Sequence, residues 1–590
     1  MKRFNLFLIF YLLAVVMNGQ SEDAFATYCE QTDFKKTPRY AETIDFCRLL
    51  AATSPMAHFT TFGKSPQGRD LPLLIVDKDG FFTPESVRNT NKVVMLVEAC
   101  IHAGEPDGKD AGLMFLRDLL IYQKHVEILD HVTILFIPIF NVDGHENFSH
   151  LNRINQNGPD ELGARITAQN INLNRDFLKA DAPEMQYWLH LYHQWLPELF
   201  MDVHVTDGAD FQYVSTYGIE LMNQNMEAHI RKWTQEVLEP QIIQKMAEAN
   251  HLIFPYFEPF NWNNVDTGIL CQSYPPQYSN GYAAAMNRVG VLVENHIYKP
   301  YEQRVKATYE MIRICGEILN KEYKEIKQAV SLSDQTIASS AFRAEPMPLS
   351  YQTSRTDSVM VDFLGWGKKT IKSDLSGADW TIYDYNNPIS SRLGMYATPV
   401  VQHSVQLPDA YIIKPECMEA IALLDRHHIT YRRLEEGQTM LVETYRFTKV
   451  QFAQRQYEGR ITVTPDFLTQ TERVFYPAGS VIVSMNQLRA RLVAHLLEPK
   501  APGSLVYWGF FNPWCQPASE FYINLGYMEV KGREMMDNDP LLRKLFEEKK
   551  AGDPDFADNP QAILQFFMTE LRKNVEPEIN LYPVGRIVYR

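Results

Sequence analysis

From Asp70 to about Lys327, apolar runs of strand length alternate with amphipathic stretches of helix length, and this alternation constrains the fold more than any other feature. Val93 to Cys100, Val132 to Phe140, Leu199 to Val205 and Gly290 to Glu294 read as strands. Their apolar character is nearly continuous, as expected of strands covered on both faces. After Pro106, which suits a first helical turn, Leu113, Leu116 and Leu120 fall on one face. Val305, Ile312 and Leu319, with Tyr309 between them, mark a second helix able to pack on the sheet. The pattern predicts an α/β domain with a mixed, mostly buried sheet flanked by helices.

At 590 residues and 45% hydrophobic composition the chain can bury more than one core, so at least two domains are expected. The polar stretch from Ser331 to Ser350, with Pro346 and Pro348, is read as a linker between a domain over 20–330 and a second over 351–590. Alternation at Val359, Val361 and Phe363, and apolar runs at Thr439 to Tyr445, Val481 to Val483 and Leu505 to Phe511, predict a strand-rich α+β region. Helices are expected over Asn486 to Leu497 and Pro540 to Lys550. Lys2 and Arg3 followed by an apolar run from Phe4 to Met17 have the layout of a secretory signal peptide, assigned to 1–19. That run is shorter than the roughly 20 residues of a membrane span, so an exported protein without stable membrane insertion is expected. The seven cysteines form no Cys-x-x-Cys pair, which argues against a structural zinc ribbon. A formal charge of -15 argues against a nucleic-acid surface.

Short polar motifs sit where these strands end. His102-Ala103-Gly104-Glu105 follows the first, Asp202-Val203-His204 closes the third and Val291-Leu292-Val293-Glu294 closes the fourth. Strand ends form the crevice in which such sheets bind ligands. Two imidazoles and a carboxylate meet the needs of one catalytic zinc ion with an open coordination position, and a second carboxylate can serve as general base. His102, Glu105 and His204 are therefore the expected metal ligands and Glu294 the expected base. Asp202, two residues before His204 on the same face of a regular strand, is expected to support it. Arg175, in Asn172-Leu173-Asn174-Arg175-Asp176, can grip a carboxylate through two parallel hydrogen bonds, with the Asn174 amide adding another.

The ordered set His102-x-x-Glu105, Pro138 to Gly144 with Asn141 and Asp143, Asn174-Arg175, His204 and Glu294 resembles the zinc metallocarboxypeptidases of the carboxypeptidase A type. The resemblance spans Asp70 to Lys327. It implies that His102, Glu105 and His204 bind zinc, that Glu294 is the general base, and that Asn174 and Arg175 anchor the terminal carboxylate of a peptide. It also implies an oxyanion-stabilising arginine, with Arg153 preferred and Arg165 the rival. A tyrosine closing over substrate is implied too, and Tyr278 and Tyr282 are both candidates: Tyr278 is assigned the catalytic role and Tyr282 a substrate contact. Two features depart from the family pattern. Asn172 stands where many members have a carboxylate backing a ligating histidine, and Pro106-Asp107-Gly108-Lys109 offers no counterpart to an arginine of the digestive enzymes. The expected activity is an exported zinc carboxypeptidase. The alternatives are an N-acyl amino-acid amidohydrolase similar to succinylglutamate desuccinylase and aspartoacylase, suggested by Asp202-Val203-His204-Val205-Thr206, and a non-catalytic peptide-binding domain. Peptide or acyl-amino-acid substrates are the expected partners.

Overall fold

The computed structural model describes residues 25–220, 225–262, 264–515, 524–575 and 580–589. The expected signal peptide at 1–19 lies outside the described residues. The first half is built on β1 (Ala57–Lys64), β2 (Asp70–Val76), β3 (Val93–Ala99), β4 (Val132–Ile137), β5 (Leu199–Thr206), β6 (Ser215–Gly218) and β7 (Ile253–Pro255). The two-residue strands β8 (Glu258–Pro259) and β9 (Ile269–Leu270) precede β10 (Val289–His296). Among the described residues, eight of these strands form one sheet in the order β1-β2-β4-β3-β5-β10-β6-β7. The central run β4-β3-β5-β10 is parallel, with antiparallel pairings on either side, so the sheet is mixed as expected. Helices α1 (Asp107–Leu120), α2 (Pro183–Trp195), α3 (Ser279–Ala285) and α4 (Tyr301–Lys321) flank it. Every residue of β3 and β4 is buried, which explains why those strands read as nearly continuous apolar runs, broken only by Glu98 and Thr133.

The linker expected at 331–350 is corrected. Helix α5 spans Tyr323–Ile337, and strand β11 (Met347–Thr353) begins within the same stretch. Ile326, Ala329, Val330, Ser333 and Ile337 are buried at helical spacing. Ser333 breaks the apolar pattern but is satisfied by Glu227, to which its hydroxyl donates at 2.7 Å.

Beyond it lie β12 (Val359–Lys372), β13 (Asp379–Tyr396), β14 (Pro399–Val405), β15 (Ala410–Ile413), β16 (Arg432–Arg433), β17 (Gln438–Phe452), β18 (Val463–Tyr476), β19 (Val481–Ser484) and β20 (Val584–Ile587). Helices α6 (Met418–Arg426) and α7 (Ala490–Leu497) accompany them, and Pro540–Gly552 is helical as expected. Among the described residues, β16-β19-β15-β20-β17-β18 form a six-stranded sheet. The strand expected over Leu505 to Phe511 is absent: Gly503 and Gly509, at φ +74° and +77°, curl this apolar run into turns that still bury Leu505, Val506, Trp508 and Phe511.

The two halves are joined by strand pairing and by a shared core, among other contacts. Strand β13 pairs in parallel with β9 of the first half, and one contiguous core contains Phe177, Trp188 and Phe200 together with Leu424, Leu492 and Val584. All seven cysteines are buried and free. Among the described residues no helix is long and apolar enough to cross a membrane.

Candidate active site

Strand β3 ends at Ala99, and Cys100 takes φ +58°, a left-handed conformation that turns the chain away from the sheet. A turn closed by Glu105 N–H to His102 C=O, 2.9 Å, then brings both motif side chains to one side. Gly104 is required between them, because a Cβ there would lie 2.7 Å from Arg153 Cδ and from the Gly163 carbonyl oxygen. His204, near the end of β5, is buried beside them, and Glu294 on β10 is its register partner across the parallel pairing.

The three expected metal ligands converge. His102 Nδ1 lies 3.2 Å from Glu105 Oε1 and 3.1 Å from His204 Nδ1, and His204 Nδ1 lies 3.0 Å from Glu105 Oε2. One ligand atom from each lies within 4.8 Å of the others. The opposite edge of each ring is occupied: His102 Nε2 donates to Asn172 Oδ1 at 3.1 Å and His204 Nε2 to Asp202 Oδ2 at 2.8 Å. Each ring thus has its Nε2 proton engaged and its Nδ1 turned inward, the arrangement of metal-ligating histidines. Two imidazoles and one carboxylate with no thiolate among them suit zinc, so the residues present fit the ion.

Burial dominates the electrostatics. It pushes His102 down to about 4, against the opposing pull of Glu105. Burial opposes ionisation of Glu105, but His102 and Arg153 overcome it and hold the carboxyl well below its usual range. Burial likewise opposes charge on His204, yet Asp202 and Glu105 raise it above the ordinary value; a bound divalent cation would take the place of that proton. Glu294 is lifted to about 8 by burial, with the neighbouring carboxylates Glu105 and Asp202 adding to the rise and His204 opposing it.

These groups open onto a cleft of about 300 Å³, also lined by Arg153, Arg165, Asn174, Arg175 and Tyr278. Arg153 donates from Nη1 to Glu105 at 2.8 Å and from Nη2 to the Val205 carbonyl at 2.8 Å, while Arg165 stands 3.6 Å from the same Glu105 oxygen. The Asn141 motif serves this wall: its side chain caps Gly144 N–H at 2.9 Å and donates to the Arg165 carbonyl at 3.2 Å. Arg175 lies 4.5 Å from the Tyr278 ring centroid and forms no ion pair among the described residues; Asp176 is taken instead by Lys179 at 2.5 Å. Lys109 is fully buried and bonded to His145, so the Pro106 to Lys109 turn contributes no cation to the cleft.

Tyr282 is corrected as a substrate contact. It is fully buried in the core, bonded to His193 Nε2 and His427 Nδ1 at 2.9 Å each. Tyr278 precedes the first turn of α3 with extended backbone (φ -107°, ψ 157°), so its ring leaves towards the cleft while Tyr282, inside the helix, faces the core. Sequence reasoning missed Asp207, Tyr256, Glu258, Tyr274 and Asn280, which also line the cleft; they fall on loops, on the short strand β8 and in the first turn of α3, with no motif to mark them.

Two imidazoles and a carboxylate able to hold a metal ion thus meet a second carboxylate, Glu294, in one cleft. Residues 43–202 match the zinc carboxypeptidase family model. The solved structures similar to this chain include a metallo-carboxypeptidase from Burkholderia cenocepacia, at 14% identity and TM-score 0.36 over 48% of this chain and 69% of that one. A metallo-carboxypeptidase from Pseudomonas aeruginosa, in complex with (2-guanidinoethylmercapto)succinic acid, is 14% identical with TM-score 0.36 over 49% and 69%. Carboxypeptidase A from Helicoverpa armigera is 17% identical with TM-score 0.36 over 51% and 75%. Among curated proteins none matches the chain.

Proposed function

We propose that the protein is an exported zinc-dependent metallocarboxypeptidase that hydrolyses the C-terminal bond of peptides. The observation that carries this reading is Arg175, a guanidinium without a carboxylate partner among the described residues, in the same cleft as the converging His102, Glu105 and His204. The family match over residues 43–202 supports it, and the N-terminal sequence pattern supports export.

His102, Glu105 and His204 would hold the ion. When bound, zinc supplies Lewis acidity and lowers the pKa of water at its open position towards neutrality. Arg175 and Asn174 bind the terminal carboxylate of the substrate, and the Tyr278 ring packed on Arg175 limits where that guanidinium can point. Glu294 accepts the proton of the attacking water and delivers it to the departing amine; a carboxyl raised by burial is suited to holding and releasing a proton near neutral pH. Arg153, fixed by three hydrogen bonds, and the more exposed Arg165 face the negative charge that develops on the scissile carbonyl.

The test is hydrolysis of matched peptides with free and amidated C-termini by wild type and Glu294→Gln, with zinc content measured alongside. Zinc-dependent release of single residues from free carboxyl ends only is expected, with Glu294→Gln reducing the rate about 10²- to 10⁴-fold while retaining the metal. Equal cleavage of the amidated peptide would refute the carboxypeptidase reading. Turnover of acyl-amino acids alone would replace it with the amidohydrolase reading.

A further inference from the structure

The ring edge of His102 is backed by the neutral amide of Asn172, whose far side meets a carboxylate from the other half of the chain. Asn172 Oδ1 accepts from both His102 Nε2 and Asn174 N–H, at 3.1 Å each. Both bonds need the oxygen on that side, so the orientation of the amide is fixed and Nδ2 must face away. It faces Glu458, donating to Oε1 at 3.4 Å across a sequence separation of 286 residues.

Glu458 is held in place by a built turn. It lies at the tip between β17 and β18, where Tyr457 and Arg460 exchange backbone hydrogen bonds of 2.9 and 3.1 Å. Glu458 and Gly459 take φ +50° and +81°, the left-handed pair of a two-residue hairpin turn. Glutamate adopts that conformation only against a steric clash of its Cβ, so the surrounding structure must enforce it. Both flanks are anchored. The Tyr457 ring stacks on Trp508 at 5.9 Å and 4°, and the Arg460 guanidinium grips Asp181 through bonds of 2.8 and 2.6 Å. The same half of the chain also holds the stretch after Arg175, with His427 Nε2 donating to the Leu178 carbonyl at 2.9 Å and Arg426 to that of Ala180 at 3.2 Å.

We propose that Glu458 is a positioning residue of the metal centre, its charge acting on His102 through the Asn172 amide. The inference rests on the reading of His102, Glu105 and His204 as zinc ligands. A carboxylate accepting from Nδ2 polarises the amide and strengthens Oδ1 as an acceptor. Oδ1 in turn holds the His102 proton on Nε2 and keeps Nδ1 aimed at Glu105 and His204, raising its basicity as a ligand. The second half of the chain thereby completes the surroundings of a site whose expected ligands all lie in the first half.

The test measures zinc affinity of the full chain by chelator competition, and the urea midpoint of the metal-free protein, for wild type and three variants. Glu458→Gln, which keeps an acceptor and removes the charge, is expected to weaken zinc binding about tenfold with an unchanged midpoint. Asn172→Asp/Glu458→Gln, which moves the charge directly behind His102, is expected to restore affinity to within about threefold of wild type. Asn172→Asp alone, which sets two carboxylates face to face, is expected to lower the midpoint. Glu458→Gln binding zinc as tightly as wild type, or a double variant without recovery, would overturn the proposal. Wild type that binds zinc yet cleaves no free-carboxyl peptide would refute the proposed activity and leave this inference standing. Wild-type affinity unchanged by His102→Ala would remove the centre and the inference with it.

Discussion

Replacing Tyr282 with Phe separates a core role from a substrate role, and its cost follows from the hydrogen bonds around the hydroxyl. His427 Nε2 faces the Leu178 carbonyl at 2.9 Å, so that nitrogen carries the proton and Nδ1 is an acceptor. The Tyr282 hydroxyl therefore donates to His427 Nδ1 and accepts from His193 Nε2–H, while His193 Nδ1 accepts from Arg489 Nε at 3.3 Å. Every group in the chain is paired, and its direction is set by the single carbonyl at its end. Tyr282→Phe strands one buried donor and one buried acceptor at about 1–3 kcal/mol each, a total of about 2–6 kcal/mol. Urea unfolding of the full chain, followed by tryptophan fluorescence, should show the midpoint falling accordingly, with KM for a free-carboxyl peptide within about twofold of wild type. In a His427→Leu background the same change should cost less, because one of the stranded groups is already gone. A large rise in KM with an unmoved midpoint would place Tyr282 at the substrate and refute this reasoning.

Two further outcomes are expected. Burial pushes His427 down to about 4 and His193 well below its ordinary value, so the folded protein keeps both neutral while the unfolded chain protonates them near 6.5. The unfolded state then binds more protons, so stability is fully present above about pH 6.5 and falls as pH drops towards about 4, by about 1.4 kcal/mol per pH unit for each histidine. Unfolding midpoints measured between these limits should show that slope, shallower in His427→Gln; a flat profile would contradict it. Asp202→Asn keeps a hydrogen-bond acceptor for His204 but removes the charge at 2.8 Å, and should weaken zinc binding about 10- to 100-fold in a chelator competition. Affinity equal to wild type would show that Asp202 does not support the ligand.

The strands that carry the site were legible because burial on both faces leaves a local mark. β3, β5 and β10 appear in sequence as apolar runs, each followed or closed by the polar group it delivers, and His102, Glu105, His204 and Glu294 come together where those runs end. Asp202 was legible for the same reason, since alternation along a strand places it on the face of His204. The helix over Tyr323–Ile337 and the turns over Leu505 to Phe511 were misread, because small polar residues at buried positions and short apolar runs are locally ambiguous.

Sequence by itself determined the α/β framework and the residues able to form a metal centre, because strand burial and ligand chemistry are written in local pattern. Only the tertiary structure decided between Tyr278 and Tyr282, which lie one helical turn apart and diverge through backbone conformation at the start of α3. It alone brought Glu458 to Asn172 and Arg460 to Asp181, since contacts across nearly 300 residues depend on how two sheets pack and leave no periodicity in the chain.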